Sequence, residues 1–142
     1  MHIRFSVPAL IAASIAWIGC GGTTTQPGSG SPYAGNYQIV QRAVENSCGD
    51  TGTPATVTGT VTHTTGSDSF TLRDTGGTTF NGTVQSNGSF SANAVFGPDT
   101  GGQTYTQRLE GTFGTNGFTA RLSVTVTPRN CAFTRDWTGT RQ

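Results

Sequence analysis

The chain has 142 residues, of which 21 are glycine and 11% are charged, and its formal net charge at pH 7 is only +1. Lysine is absent, so the composition excludes the strongly basic surface that is typical of nucleic-acid-binding proteins. Threonine is abundant; Thr, Val, Phe and Tyr favour strands, and Gly and Asn-Gly steps favour turns. The composition therefore predicts an all-β protein, and no stretch has a helical apolar period.

The N-terminal residues 1–19 have the pattern of a lipoprotein signal peptide. A short, mildly basic start precedes the apolar run Phe5–Ile18, and Gly19 stands directly before Cys20. Such a run is typical of a secretory signal and is too short to span a bilayer comfortably. We expect cleavage before Cys20 and attachment of acyl chains, including palmitate, to this cysteine. Ordinary cleavage at a small residue nearby is the alternative.

Residues 20–32 form a predicted flexible linker that begins with the lipidated Cys20. After Cys20 this stretch contains no apolar residue and is rich in Gly, Thr, Ser and Pro. It cannot bury enough surface to offset its chain entropy, and as a Gly-rich coil it would reach roughly 20 Å. We expect a lipid-anchored protein of the cell envelope. Gly21, in place of an aspartate, favours the outer membrane, facing the periplasm or the surface.

Residues 33–142 are predicted to form one domain of eight antiparallel strands. Apolar and polar residues alternate, and turn signals rich in Gly, Asn, Asp and Pro separate the segments. All connections are short, so strands that are neighbours in sequence should pair as an up-and-down meander. The predicted strands are 36–45, 55–63, 68–74, 78–85, 89–96, 103–113, 118–127 and 130–140.

Two hairpin loops predict the register of their strands. The Asn116-Gly117 step is interpreted as a two-residue loop, and residues 86–88 are interpreted as a three-residue loop with Gly88 in a left-handed conformation. Both choices keep apolar residues on one face, whereas a slip by one residue would mix the two faces. The predicted pairs are Phe113 with Ala120 and Leu109 with Val124 in the first hairpin, and Val84 with Phe90 in the second.

Two internal cysteines bear on how the sheet buries its apolar face. Cys48 and Cys131 remain after processing, and an even pair in an exported protein indicates a disulfide. Cys48 follows the first strand and Cys131 opens the last one, so a bridge would join neighbours if the sheet closes. A closed eight-stranded barrel is therefore favoured over a β-sandwich. An immunoglobulin-type sandwich would place a tryptophan between its cysteines, whereas Trp137 follows both.

A few residues at the two ends of the domain resemble a known family. Gly35-Asn36-Tyr37 opens the first strand, and Trp137 and Arg141 close the last one, so in a closed meander they would share the end opposite the disulfide. This arrangement resembles the lipocalin-like (calycin) barrels, which open with Gly-x-Trp and carry an arginine near the end of the last strand. Position 37 holds Tyr instead of Trp. The resemblance implies a binding module; avidin-like proteins and small bacterial protease inhibitors are similarly built.

The predicted inner face carries aliphatic and aromatic residues with six small residues between them, while the outer face is polar and rich in threonine. An apolar outer band, as in a membrane-spanning barrel, is missing. An eight-stranded barrel either fills with side chains or holds one small ligand. In the second case Phe90, Leu109 and Trp137 would line the ligand site. Three polar residues share the inward parity and would lie inside or at the rim: Gln41, Gln107 and Arg135.

Signals for catalysis are weak, so we predict that the protein is not an enzyme. His63 is the only histidine outside the signal, no nucleophile motif is present, and no residues have metal-ligand spacing, so we expect no cofactor and no metal. One interpretation is a filled barrel that acts through its loops in envelope structure or on an envelope protein, possible protease inhibition included. The alternative is a barrel that binds a small apolar ligand. The predicted partners are the membrane and either an envelope protein or a small apolar ligand, and we expect no binding to nucleic acid.

Cys20→Ala tests the predicted anchor. Because the acyl chains would be attached to this cysteine, the variant should either remain unprocessed or leave the membrane fraction. Fractionation of cells that express the parent or the variant, with intact-mass measurement of both proteins, provides the test. A parent without added acyl mass and a variant that stays in the membrane fraction would rule out lipidation.

Overall fold

All eight strands that the alternation predicts are present in the computed structural model, which describes residues 31–49 and 53–142. The predicted signal peptide, Cys20 and most of the linker lie outside the described residues. Within the described part no helix is long and apolar enough to cross a membrane. The strands are β1 (Gly35–Asn46), β2 (Ala55–His63), β3 (Ser69–Asp74), β4 (Thr79–Val84), β5 (Ser89–Phe96), β6 (Thr104–Phe113), β7 (Gly117–Thr127) and β8 (Cys131–Arg141).

The sheet closes into a barrel, which confirms the predicted architecture and excludes the sandwich. Every strand pairs antiparallel with its neighbours in sequence, and β1 pairs with β8. The β1–β8 pairing runs from Tyr37 opposite Arg141 toward the disulfide end, with a bulge between Ala43 and Glu45. Short connections fix the order of the strands, and closure leaves neither β1 nor β8 as an exposed edge.

The predicted disulfide is confirmed at the seam where the barrel closes. Cys48 and Cys131 are bonded, and their Cα atoms lie 5.1 Å apart across a sequence separation of 83 residues. Beside the bridge, the backbone N–H of Ser47 donates to the Ala132 carbonyl at 2.9 Å, and the Ala132 N–H donates to Ser47 Oγ at 2.9 Å. Covalent and hydrogen bonds thus hold the end of β1 to the beginning of β8.

The predicted register of the β6–β7 hairpin is wrong by two residues. Phe113 pairs with Phe118 instead of Ala120, and the N–H of Gly114 donates to the Gly117 carbonyl at 2.7 Å across a longer loop. Gly117 belongs to β7, where it pairs with Thr140 of β8, and is therefore not a turn residue. Because side chains alternate with a period of two, the shift leaves every residue on its predicted face.

The other predicted hairpin agrees with the structure. Val84 pairs with Phe90, and Gly88 has a φ of 85°, the left-handed conformation that glycine adopts without steric cost. The N–H of Gln85 donates to the Ser89 carbonyl at 2.8 Å, which closes the loop. The interpretation of Gly88 as a left-handed turn residue therefore predicted this register correctly.

Inward-facing side chains fill the barrel in its middle and at the end where the chain enters it. Gly139 shows how closely they pack, because a Cβ atom there would lie 2.2 Å from the ring of Phe118. Small residues thus accommodate neighbouring aromatic rings. Val126, which the predicted inner face omits, is also buried. The buried apolar residues are Tyr37, Ile39, Val61, Phe70, Leu72, Phe80, Val84, Phe90, Ala92, Ala94, Leu109, Phe113, Phe118, Leu122, Val124, Val126 and Trp137.

A short segment before β1 closes one end of the barrel. The ring of Tyr33 stacks on Phe113 with a centroid distance of 4.9 Å and meets His63 edge-on at 5.3 Å. Ser31, which the sequence places in the linker, is buried and hydrogen-bonded to His63. We call this the closed end. The opposite end, at the disulfide, contains the cavity described below.

Cys48→Ser tests how much the disulfide stabilises the closed sheet. Because the bridge constrains a long loop in the unfolded chain, its loss should lower the free energy of unfolding by about 2–5 kcal/mol. Urea unfolding of the parent and the variant measures the difference. The Cys48→Ser/Cys131→Ser double variant is the control and should lose the same amount, and a parent whose stability is unaffected by reductant would contradict the expectation.

Candidate functional site

A cavity of about 250 Å³ opens inside the barrel at the disulfide end, and we call it the mouth cavity. Strands β3 and β4 have 6 residues each, whereas β1, β6, β7 and β8 have 10 to 12. The long strands extend past the packed core, so the inward side chains nearest the disulfide end line the opening. Aromatic residues contribute to its wall, among them Phe96, which is 48% exposed at the rim and lies 5.8 Å from the ring of Tyr105.

The three polar residues that share the inward parity line the mouth cavity. Gln41, Gln107 and Arg135 come from β1, β6 and β8. Gln41 is only 8% exposed, and its Oε1 accepts a hydrogen bond of 3.1 Å from Arg135 Nη1. The guanidinium of Arg135 also lies over the Phe133 ring, 5.4 Å from its centroid. A buried amide and a half-buried guanidinium therefore give this end of the barrel a polar interior.

Trp137 lies where the core meets the cavity. Its side chain is 2% exposed and packs edge-on against Phe80 with a centroid distance of 5.6 Å, yet it also lines the mouth cavity. The indole Nε1–H is buried and has no acceptor within the described residues. A buried donor without a partner loses its hydration and gains nothing in return, which makes it costly in a folded protein.

A second cavity, of about 350 Å³, adjoins the mouth cavity beneath the disulfide and is called the side cavity. The two cavities share Tyr105 and Phe133 in their walls. Gln103 lines the side cavity, and its Oε1 is buried with no donor within the described residues. The described residues contain three buried side-chain atoms without a partner: Trp137 Nε1 and Gln103 Oε1, in residues that line these two cavities, and Arg141 Nε at the closed end.

The loop between β5 and β6 forms one side of the rim and is held by Asp99. Oδ1 of Asp99 accepts the N–H groups of Gly101 at 2.8 Å and Gln103 at 2.9 Å, and Oδ2 accepts the Tyr105 hydroxyl at 2.9 Å. The bond from Gln103 is the largest cause that keeps the pKa of Asp99 below its ordinary value. The same carboxylate raises the pKa of Tyr105. This acidic turn therefore has a structural role in positioning Gln103 and Tyr105.

The structure separates the residues that the sequence groups as a ligand site. Trp137 lines the mouth cavity, whereas Phe90 and Leu109, which are 5% and 0% exposed, are packed in the core. Trp137 does not share the closed end with Arg141 as expected. It lies near the middle of β8, four residues from Arg141 and six from Cys131, and borders the mouth cavity. Gln103 opens the predicted strand 103–113 with inward parity, but in the structure it precedes β6, in the loop that Asp99 holds.

Arg141 and Tyr37 meet at the closed end, as the closed meander predicts for these positions. The Arg141 guanidinium lies 5.8 Å from the centroid of the Tyr37 ring. Its Nη2 donates to the carbonyls of Pro32 and Ala34, the second at 2.7 Å. Burial raises the pKa of Tyr37 above its ordinary value, while nearby Arg141 opposes the shift. These contacts tie the entering segment to the end of β8.

His63 links the entering segment to the β2–β3 loop. Its Nδ1 is hydrogen-bonded to the Ser31 hydroxyl, and its Nε2 lies 2.7 Å from the carbonyl oxygen of Ser67. A hydrolytic triad would place a carboxylate where this carbonyl lies. In the described part of the chain, no three side chains of His, Cys, Asp or Glu are placed to hold a metal ion together.

Comparison with protein-family models, with curated proteins and with solved structures finds no match to this chain.

The pH dependence of the rim loop tests the role of Asp99. Because the folded pKa of Asp99 is depressed, its hydrogen bonds stabilise the loop above the unfolded pKa and are lost as the pH falls through the folded value. The amide shifts of Gly101 and Gln103 should titrate together with a midpoint below the ordinary 3.8. Amide NMR spectra across the acidic range measure this midpoint. Asp99→Asn should abolish the transition, and a midpoint at or above 3.8 would contradict the assignment.

Proposed function

We propose that the protein is a lipid-anchored, non-catalytic binding module of the bacterial cell envelope that takes a small ligand into the mouth of its barrel. One observation carries the proposal: a cavity of about 250 Å³ at the disulfide end lies among inward-facing residues of the strands, whereas the larger space at the closed end, about 550 Å³, lies among the β2–β3 and β4–β5 loops. A concave site with aromatic walls and a few buried polar groups is the usual form of a small-molecule site.

The cavity supports one of the two interpretations that the sequence leaves open. Around Phe90 and Leu109 the barrel is packed, which limits a ligand to the outer part of the interior. The loops that surround the mouth cavity would then contact the ligand or control its access. Binding in the mouth is therefore better supported than action through the loops alone.

The compartment and the anchor have separate support. The Cys48–Cys131 bond is of the kind that persists in exported proteins, which agrees with the predicted signal at residues 1–19. The described chain enters the barrel at the closed end, where Ser31 and Tyr33 are packed. A lipid on Cys20 would thus be connected to the end of the barrel that lies opposite the mouth cavity.

A pair of phenylalanine substitutions on β6 tests binding in the mouth. Gln107 is half-buried and lines the cavity, whereas its neighbour Thr106 is exposed on the outer face. Amide NMR spectra recorded with a fragment library of neutral polyols, acids, amines and hydrocarbons should show shifts that cluster around the mouth cavity. Gln107→Phe should abolish these shifts by filling the space, and Thr106→Phe should leave them unchanged.

Two outcomes would contradict the proposed function. Fragments that shift only residues outside the mouth cavity would show that this cavity is not the binding site. Equal shifts in the parent and a folded Gln107→Phe variant would lead to the same conclusion. Unfolding curves of both variants provide the folding control.

A further inference from the structure

We propose that the Cys48–Cys131 disulfide is a redox-sensitive latch, and that its reduction by a dithiol releases the end of β1 while the rest of the barrel stays closed. The part of the chain that the latch controls is residues 42–48, which we call the seam segment. Such a latch acts on the barrel whether or not the mouth binds a ligand. The pairing of the seam segment, its low burial and the position of the two cysteines carry this inference.

The seam segment is paired with the sheet on one side. The ladder between β1 and β2 ends with Gln41 opposite Ala55. Of the described strands, only β8 pairs with β1 beyond this point. A bulge between Ala43 and Glu45 interrupts this remaining ladder, and a bulge locally disrupts pairing. The end of β1 therefore depends on β8 and on the bridge beside it.

Little apolar surface holds the seam segment in place. Residues 42–46 are all exposed, and Val44 is 46% exposed. Gln41, directly before them, is buried, so burial stops where the ladder with β2 stops. Segments with few buried contacts and solvent-exposed backbone hydrogen bonds open locally at a low cost in free energy. Loss of the covalent bond at the end of this segment therefore lets it separate from β8 without unfolding the core.

The hydrogen bonds that remain after reduction are exposed. Ser47 Oγ accepts the N–H of Ala132 at 2.9 Å, and Arg129 Nη2 donates to the Cys48 carbonyl at 2.8 Å. Water competes for exposed hydrogen bonds, so each of them contributes little net stability. The disulfide holds the two strand ends together regardless of water, and it is therefore the bond that decides whether the seam stays closed.

The bridge borders a space through which a thiol can approach. Cys48 and Cys131 are both partly exposed, and both line the side cavity of about 350 Å³. Disulfides that solvent reaches are reduced more readily than enclosed ones. Arg129 lines the same cavity, and its positive charge beside the bridge favours the thiolate that leaves during reduction.

The reaction is a two-electron exchange with a dithiol as the co-reactant. A thiolate of the dithiol attacks one sulfur atom of the bridge, the sulfur–sulfur bond breaks, and the other cysteine leaves as a thiolate. The second thiolate of the dithiol then attacks the mixed disulfide and displaces the first cysteine. Both cysteines take up the protons that the dithiol released, and the dithiol is oxidised to a disulfide.

Release of the seam segment changes the wall of the mouth cavity. Ala43 in the segment lies opposite Arg135 of β8. Arg135 lines the cavity and donates to Gln41, the last residue before the segment. Separation of β1 from β8 at this level therefore opens the cavity wall between the two strands, so the redox state of the seam determines the width of the mouth.

Hydrogen exchange of the full chain tests the latch. Mass spectrometry follows the oxidised parent and the parent reduced with dithiothreitol, and alkylation of the new thiols confirms the reduction. Amides of the seam segment and of residues 131–134, which face it in β8, should exchange about tenfold faster after reduction. Amides of β3, β4 and β5 should stay protected over the same time. Cys48→Ser/Cys131→Ser should match the reduced parent with and without dithiothreitol.

The rate of reduction tests the role of Arg129. Arg129→Gln keeps an N–H donor for the Cys48 carbonyl but removes the charge, so dithiothreitol should reduce the bridge about fivefold more slowly. Arg108→Gln removes a charge from the exposed face of β6 and should leave the rate unchanged.

Three results would overturn the latch. The first is a bridge that dithiothreitol does not reduce in the folded parent. The second is a reduced parent whose seam segment exchanges as slowly as in the oxidised protein. The third is loss of protection in β3, β4 and β5 as fast as in the seam segment, because the bridge would then be required for the whole fold. Equal reduction rates in Arg129→Gln and Arg108→Gln would show that Arg129 does not assist the exchange.

Discussion

The pairing of β1 with β8 is the constraint on which the rest of this structure depends. An unclosed meander of eight strands would expose two edges of unpaired backbone groups, and its apolar face would need a second layer to cover it. Closure satisfies both edges and turns the apolar face inward, where it packs against itself. The disulfide between Cys48 and Cys131 fixes this seam at one end, and Arg141 holds the entering segment at the other.

Closure alone would leave two similar ends, and two local features make them different. At one end the segment before β1 lies across the opening, and Tyr33 continues the aromatic packing of the core through Phe113. At the other end the long strands continue past the core, and their inward positions hold Gln41 and Arg135 in place of aliphatic residues. The mouth cavity thus results from strand length and side-chain chemistry together.

Alternation predicts the fold well, because it depends on neither the loops nor the register. A two-residue error at the β6–β7 hairpin left Phe113 on the inner face, since side chains repeat with a period of two. The same alternation does not show how far the core fills the barrel, so it could not reveal that Trp137, near the middle of β8, borders the mouth cavity. It also extended the sixth strand to Gln103, which in the structure precedes β6 and has its backbone N–H bonded to Asp99 Oδ1.

The buried polar atoms without partners affect the energy balance of this small domain. A barrel of this size has a limited core, and a buried donor or acceptor without a partner opposes folding by an amount comparable to one core contact. The disulfide contributes stability without using interior space, since it acts largely on the unfolded chain. The stability that the disulfide adds therefore offsets part of the cost of the unpaired Trp137 Nε1 and Gln103 Oε1. The polar residues of the mouth cavity accordingly lie at the end of the barrel that the disulfide stabilises.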